Sequence, residues 1–189
     1  SNILILVFMG FSMLAILLAP EVLMFLGTEE YLDAKWIIPP IMVATFLTFI
    51  YCIFGTVLFY YEDTKKIAIA SMSGALLNVI LNTIFIPLFG LIAAGYTTLI
   101  SYIVITTVYY FSMRKCCKKN LITEEIFDIK FIIILIGVFG IYSAIALMLY
   151  KITVIRYMMA LIIMFLLILR RKEITNIIQK LRRDKIGES

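Results

Sequence analysis

Few residues in this chain could do chemistry, and they stand far apart in a background of aliphatic side chains. Glu21 is the only carboxylate inside any long apolar run, and Arg156, near one end of its run, is the only arginine inside one. A carboxylate in that position could couple the movement of a proton or sodium ion. Beside Pro20 it could equally cap a helix or sit at an interface. Arg156 could hold or release an anionic head group, or extend its guanidinium to the phosphates of ordinary lipid. Asn78 and Asn82 are four residues apart, one helical turn, and so share a face. An amide in hydrocarbon is expensive unless paired, so this face should look toward another helix or a wet cavity, giving either interhelical pairing or substrate contact. Thr97 and Ser101, with Thr98, Thr106 and Thr107, add a partly polar surface that could line the same cavity, although hydroxyls also bond back to their own helix carbonyls.

What is absent narrows the chemistry further. There is no histidine, and the three cysteines, Cys52, Cys116 and Cys117, include an adjacent pair rather than a C-x-x-C spacing, which gives no support to a zinc site or a dithiol motif. The cysteines read as reduced thiols on the cytoplasmic side, with lipidation of the juxtamembrane pair as the alternative. No nucleophile–base pair, phosphate loop or metal cluster stands out. An intramembrane hydrolase or transferase therefore has weak footing; the expectation is a non-enzyme without cofactor or metal, and a carrier for something amphipathic fits better.

The elements that must position these residues follow from hydropathy. Hydrophobic residues make up 63% of the chain and charged residues 15%, and the mean hydropathy is +1.08; water-soluble domains have nearer ~45–50% apolar residues. A helix needs roughly 20 apolar residues to cross ~30 Å of hydrocarbon. Six such segments can be drawn: Ile3 to about Phe25, kinked or stopped near Pro20-Glu21; Trp36 to Tyr60, with Pro39-Pro40 in its first turn; Ile67 to about Phe89; Leu91 to Phe111; Ile129 to Tyr150; and the short Thr153 to Leu169. The predicted fold is all-α, a polytopic membrane bundle of about six transmembrane helices over residues 1–169. A basic tail follows over residues 170–189.

Charge sets the expected orientation. The net charge of +5 falls in short blocks between apolar runs, which suits membrane orientation and speaks against a nucleic-acid partner. Fourteen of the basic residues lie in alternate loops and the tail, whereas Lys35, Lys151 and Arg156 lie on the other side. The positive-inside rule then places both ends of the chain in the cytoplasm, and the acidic loop with Glu29, Glu30 and Asp33 outside. In the tail, Ile174, Ile177, Ile178 and Leu181 share one helical face, the pattern of an interfacial helix on anionic lipid or of a surface for a cytoplasmic partner. Small residues at four-residue spacing, Ala70 with Gly74, Ser71 with Ala75 and Gly140 with Ala144, predict close helix packing. Pro87 and Gly90 predict a tight helical hairpin, with Gly95 allowing its arms to approach closely.

The stretch from Ser73 to Tyr102 resembles the hairpin signature of bacterial polysaccharide-biosynthesis flippases, within the multidrug, oligosaccharidyl-lipid and polysaccharide exporter superfamily. Asn78, Asn82, Ile86, Pro87 and Gly90 match that pattern, while Ile92-Ala93-Ala94 stands where glycine-alanine-alanine is usual. Ala19-Pro20-Glu21, leading through Gly27 to Glu30-Tyr31 and Ala34, and Tyr60-Tyr61 with Thr64-Lys65-Lys66, are similar to two further blocks of the family. The likeness covers roughly residues 15 to 112. It implies a carrier that moves undecaprenyl-diphosphate-linked oligosaccharide across the bacterial cytoplasmic membrane, for O-antigen or capsule synthesis, by alternating access between two helix bundles. It further implies that this chain is the C-terminal bundle, partnered by an N-terminal half. The absence of initiator methionine and signal pattern at Ser1-Asn2 points the same way. No lysine or arginine falls in mid-membrane, so contact with the diphosphate would rest with that other half or with Arg156 at the rim. The alternatives are a multidrug exporter of the same superfamily, which would commonly carry a coupling acid in the membrane, and a non-transporting scaffold subunit.

Overall fold

The computed structural model describes residues 2–26, 34–120 and 127–169. The described chain is all helix apart from turns: α1 (Asn2–Leu17), α2 (Ala19–Leu26), α3 (Ile38–Tyr60), α4 (Thr64–Phe89), α5 (Ile92–Lys119), α6 (Ile129–Leu149) and α7 (Thr153–Leu169). Helices α4, α5 and α6, and α3 with the turn before it, are long and apolar enough to cross a membrane, and α1 with α2 makes a fifth candidate as one bent span. The described part of α7 has 17 residues, reaching ~26 Å at 1.5 Å per residue. The tail over 170–189 and the acidic loop over 27–33 lie outside the described residues.

Proline accounts for the break between α1 and α2. The axis turns by 59° between Asn2–Leu17 and Ala19–Phe25, because Pro20 has no amide hydrogen for the carbonyl of Ile16 and its ring crowds that carbonyl. The Tyr150 hydroxyl donates to the Ile16 oxygen instead, at 3.0 Å. The bend thus begins at Leu18, slightly before the Pro20-Glu21 step where the sequence places it, and the last two turns become a separate short helix. Pro39 and Pro40, by contrast, open α3 without a kink, since they occupy its first turn, where amide hydrogens have no intrahelical partner.

Helix α3 is the centre of the bundle. It runs parallel to α5, faces α1 and α6 on its other side, and buries Phe46, Ile50 and Leu58 completely. Phe46 meets Phe139 of α6 edge to face, with centroids 5.1 Å apart. Helix α4 lies at the outside against α5, and α7 lies at the opposite outside against α1. Apolar burial gives little drive between helices surrounded by lipid, so close approach has to come from small residues. A Cβ on Gly95 would stand 2.8 Å from Ile37 and 3.2 Å from Pro40, and one on Gly74 would run into Ile105. Gly140 is different: a Cβ there would meet nothing within 4 Å, and Ala144 is exposed. Of the small-residue pairs read from the sequence, Ala70 with Gly74 is packed and Gly140 with Ala144 looks outward.

The α4–α5 hairpin turns on two residues. Helix α4 continues through Pro87 to Phe89, and Gly90 follows with φ +73°, in the left-handed region that a side chain would disfavour. Its amide closes onto the Ile86 carbonyl at 2.8 Å. Helix α5 then runs past Phe111, where the apolar run ends, to Lys119.

Candidate functional site

Polar groups gather at two places on opposite sides of the bundle. In the first, between the arms of the hairpin, Asn82 Nδ2 donates to Asn78 Oδ1 at 3.0 Å, and Asn78 Nδ2 reaches Thr98 Oγ1 at 3.4 Å. The Thr97 hydroxyl is placed to donate to Asn82 Oδ1 and equally to the carbonyls of Ala93 and Ala94, at 3.0 and 3.1 Å. One hydroxyl proton is shared among these three acceptors. Ser101 is fully buried and bonds back to the Thr97 carbonyl at 2.8 Å. Thr97 also borders a cleft of about 430 Å³ whose other walls are Phe85, Phe89, Ile92, Ala93, Tyr96 and Ile100. Further along the hairpin, Ser71 Oγ and the Tyr109 hydroxyl share a hydrogen bond of 2.9 Å.

The second place lies between α2 and α7. Glu21, in the first turn of α2, pairs with Arg156, in the first turn of α7, through Nη2 and Oε1. The helix dipole favours a carboxylate at an amino end and disfavours a guanidinium there, so Glu21 offsets an unfavourable position of Arg156. The Tyr157 hydroxyl donates to the same Oε1 at 2.8 Å, and the Arg156 guanidinium lies 5.4 Å from the Tyr157 ring centroid. Arg156 is buried, with 4% of its side chain exposed, against 32% for Glu21. The pair walls an open cleft of about 660 Å³ lined also by Pro20, Met24, Phe25, Tyr150, Thr153 and Tyr157. Trp36 packs edge to face on Tyr150 at 6.1 Å, and Lys35 lies 5.5 Å from the Trp36 ring. Aromatics interleaved with a lysine are the composition typical of the head-group level of a bilayer.

The residues singled out from sequence therefore separate. Asn78, Asn82, Thr97 and Ser101 come together in the hairpin, held by Pro87, Gly90 and Gly95 at or near its turn; Arg156 and Glu21 come together elsewhere. Sequence reading treated these two charges separately and did not pair them. The signal was available: each is the only charged residue of its own apolar run, and each falls near an end of that run. Tyr150 and Tyr157 were also missed, although tyrosines at span ends are common interfacial residues with a polar tip. Among the described residues, no group of three or more histidine, cysteine, aspartate or glutamate side chains could hold a metal. No family model matches the chain, and neither a curated protein nor a solved structure matches it.

Proposed function

We propose that this chain is one helix bundle of a membrane carrier that moves an undecaprenyl-diphosphate-linked oligosaccharide across the bacterial cytoplasmic membrane for polysaccharide synthesis. The observation that carries the reading is the state of α4. Only Ala70 and Gly74 of this helix are buried, yet it holds Asn78 and Asn82 at half-exposed positions. Amides in an apolar helix face a bundle interior or an aqueous path; the α5 threonines meet part of the amides' bonding capacity, and their half-exposure supports a hydrated neighbour for the rest. A second bundle across a hydrated path supplies such a neighbour, and glycan hydroxyls are natural partners for an amide row. The resemblance of the Ser73–Tyr102 segment to oligosaccharide flippases supplies the substrate class, and the basic blocks support cytoplasmic chain ends.

The test is transfer of a fluorescent undecaprenyl-diphosphate oligosaccharide in proteoliposomes made with the full-length gene product, read by lectin access to the outer leaflet. Transfer above protein-free vesicles, slowed about tenfold by Asn82→Leu through loss of substrate hydrogen bonds, is the expected result. No transfer would overturn the reading. Ion-driven efflux of cationic dyes in its place would favour a multidrug exporter, and neither activity would leave a scaffold subunit.

A further inference from the structure

Beside the cleft between α2 and α7 two hydrogen-bonding groups are buried and left unmet by the described residues: Oε2 of Glu21, an acceptor, and the Nε–H of Arg156, a donor. Leaving either unpaired away from water is costly. They belong to opposite members of one ion pair, so the site as a whole is neutral. Oε1 of Glu21 already receives Arg156 and Tyr157, which leaves Oε2 for an outside donor. Glutamate has a broad terminal torsion, and with a third of its side chain open Glu21 can turn Oε2 toward the cleft.

A group that completes this site has to accept from Arg156 and donate to Glu21. A simple anion would satisfy the guanidinium and be repelled by the carboxylate; a simple cation has the reverse difficulty. A zwitterion with a phosphate and an N–H-bearing ammonium two carbons apart satisfies both. The surroundings indicate its source. Met24 and Phe25, on the wall of the cleft, are 69% and 89% exposed, an apolar flank for acyl chains, and Trp36 with Lys35 has the composition typical of the head-group level. We propose that this cleft binds the head group of an ethanolamine phospholipid, its phosphate toward Arg156 and its ammonium toward Glu21. Lipid retention is read without transport, so failure of transport and failure of lipid binding are separate results.

The probe is native mass spectrometry of the purified full-length protein exposed to equal amounts of phosphatidylethanolamine, its N-methylated derivatives, phosphatidylcholine and phosphatidylglycerol, all with matched chains. Phosphatidylethanolamine is expected to be retained over phosphatidylglycerol and phosphatidylcholine on the order of tenfold, the scale of one charge-assisted hydrogen bond. Retention should persist through the mono- and dimethyl forms, which keep an N–H, and fall at the trimethyl form. In folded Glu21→Gln the ethanolamine lipid should drop to the level of phosphatidylcholine. Equal retention of ethanolamine and choline lipids, preference for phosphatidylglycerol, or an undiminished preference in folded Glu21→Gln would each overturn the proposal. Should Glu21→Gln fail to fold, the methylation series on the unsubstituted protein decides alone.

Discussion

The hairpin and the cleft place polar groups in the same apolar chain by opposite means. Between α4 and α5 the groups are neutral, the asparagines and their threonine partners lie within twenty residues, and the Thr97 hydroxyl also has carbonyls of its own helix as a fallback. Between α2 and α7 the groups are charged, come from segments 135 residues apart, and leave a donor and an acceptor open. A neutral row of this kind loses little when one member is removed, because the remaining groups re-pair locally. A buried charge has no such fallback. Stability and binding are thus divided: the hairpin holds itself together with bonds it can spare, and the cleft concentrates both the risk and the unused bonding capacity.

Unfolding in SDS titrations tests that division. The largest loss is expected for Glu21→Ala, about 3 kcal/mol, since it leaves the buried Arg156 uncompensated. Arg156→Met should cost less, because the partly exposed Glu21 can rehydrate, and the double variant should recover most of the Glu21→Ala loss. If the double variant is no better than Glu21→Ala, the two charges are not coupled. Next comes Gly74→Leu, at about 2 kcal/mol, because Ile105 occupies the space the new side chain needs. Asn82→Leu is expected to cost about 1 kcal/mol, the usual scale of an interhelical hydrogen bond in a bilayer; a loss matching that of Glu21→Ala would erase the contrast between the regions. Gly140→Leu should be smallest, under about 0.5 kcal/mol, as its side chain enters open space.

Local features were the legible part of this fold. Spans over α3 to α6, the turn at Gly90 and the shared face of Asn78 and Asn82 all follow from patterns within one or two helical turns. Hydropathy reported where the apolar surface of α5 stops, at Phe111, and not where its hydrogen-bond ladder stops, at Lys119, because lysine, arginine and methionine extend a helix readily outside hydrocarbon. Small-residue spacing was read equally at Gly74 and Gly140, yet only Gly74 has a neighbour pressed on it; the motif encodes permission for contact and says nothing about which helix arrives. The link of Glu21 to Arg156 was the least legible, since it depends on how α2 bends away from α1 and on α7 docking beside it. The tail and the acidic loop lie beyond the described residues.

The two-residue turn at Gly90 and Leu91 also bears on how the protein is made. Only two uncharged residues connect the arms, so α4 and α5 are expected to enter a bilayer as a unit. Helix α4 carries two amides that lipid would penalise if it were released alone, and α5 emerges immediately behind it with Thr97 and Thr98 to accept and return their hydrogen bonds. Lengthening this turn would therefore affect biogenesis before it affected the finished structure: the amide-bearing helix would meet the lipid before its partner had been synthesised.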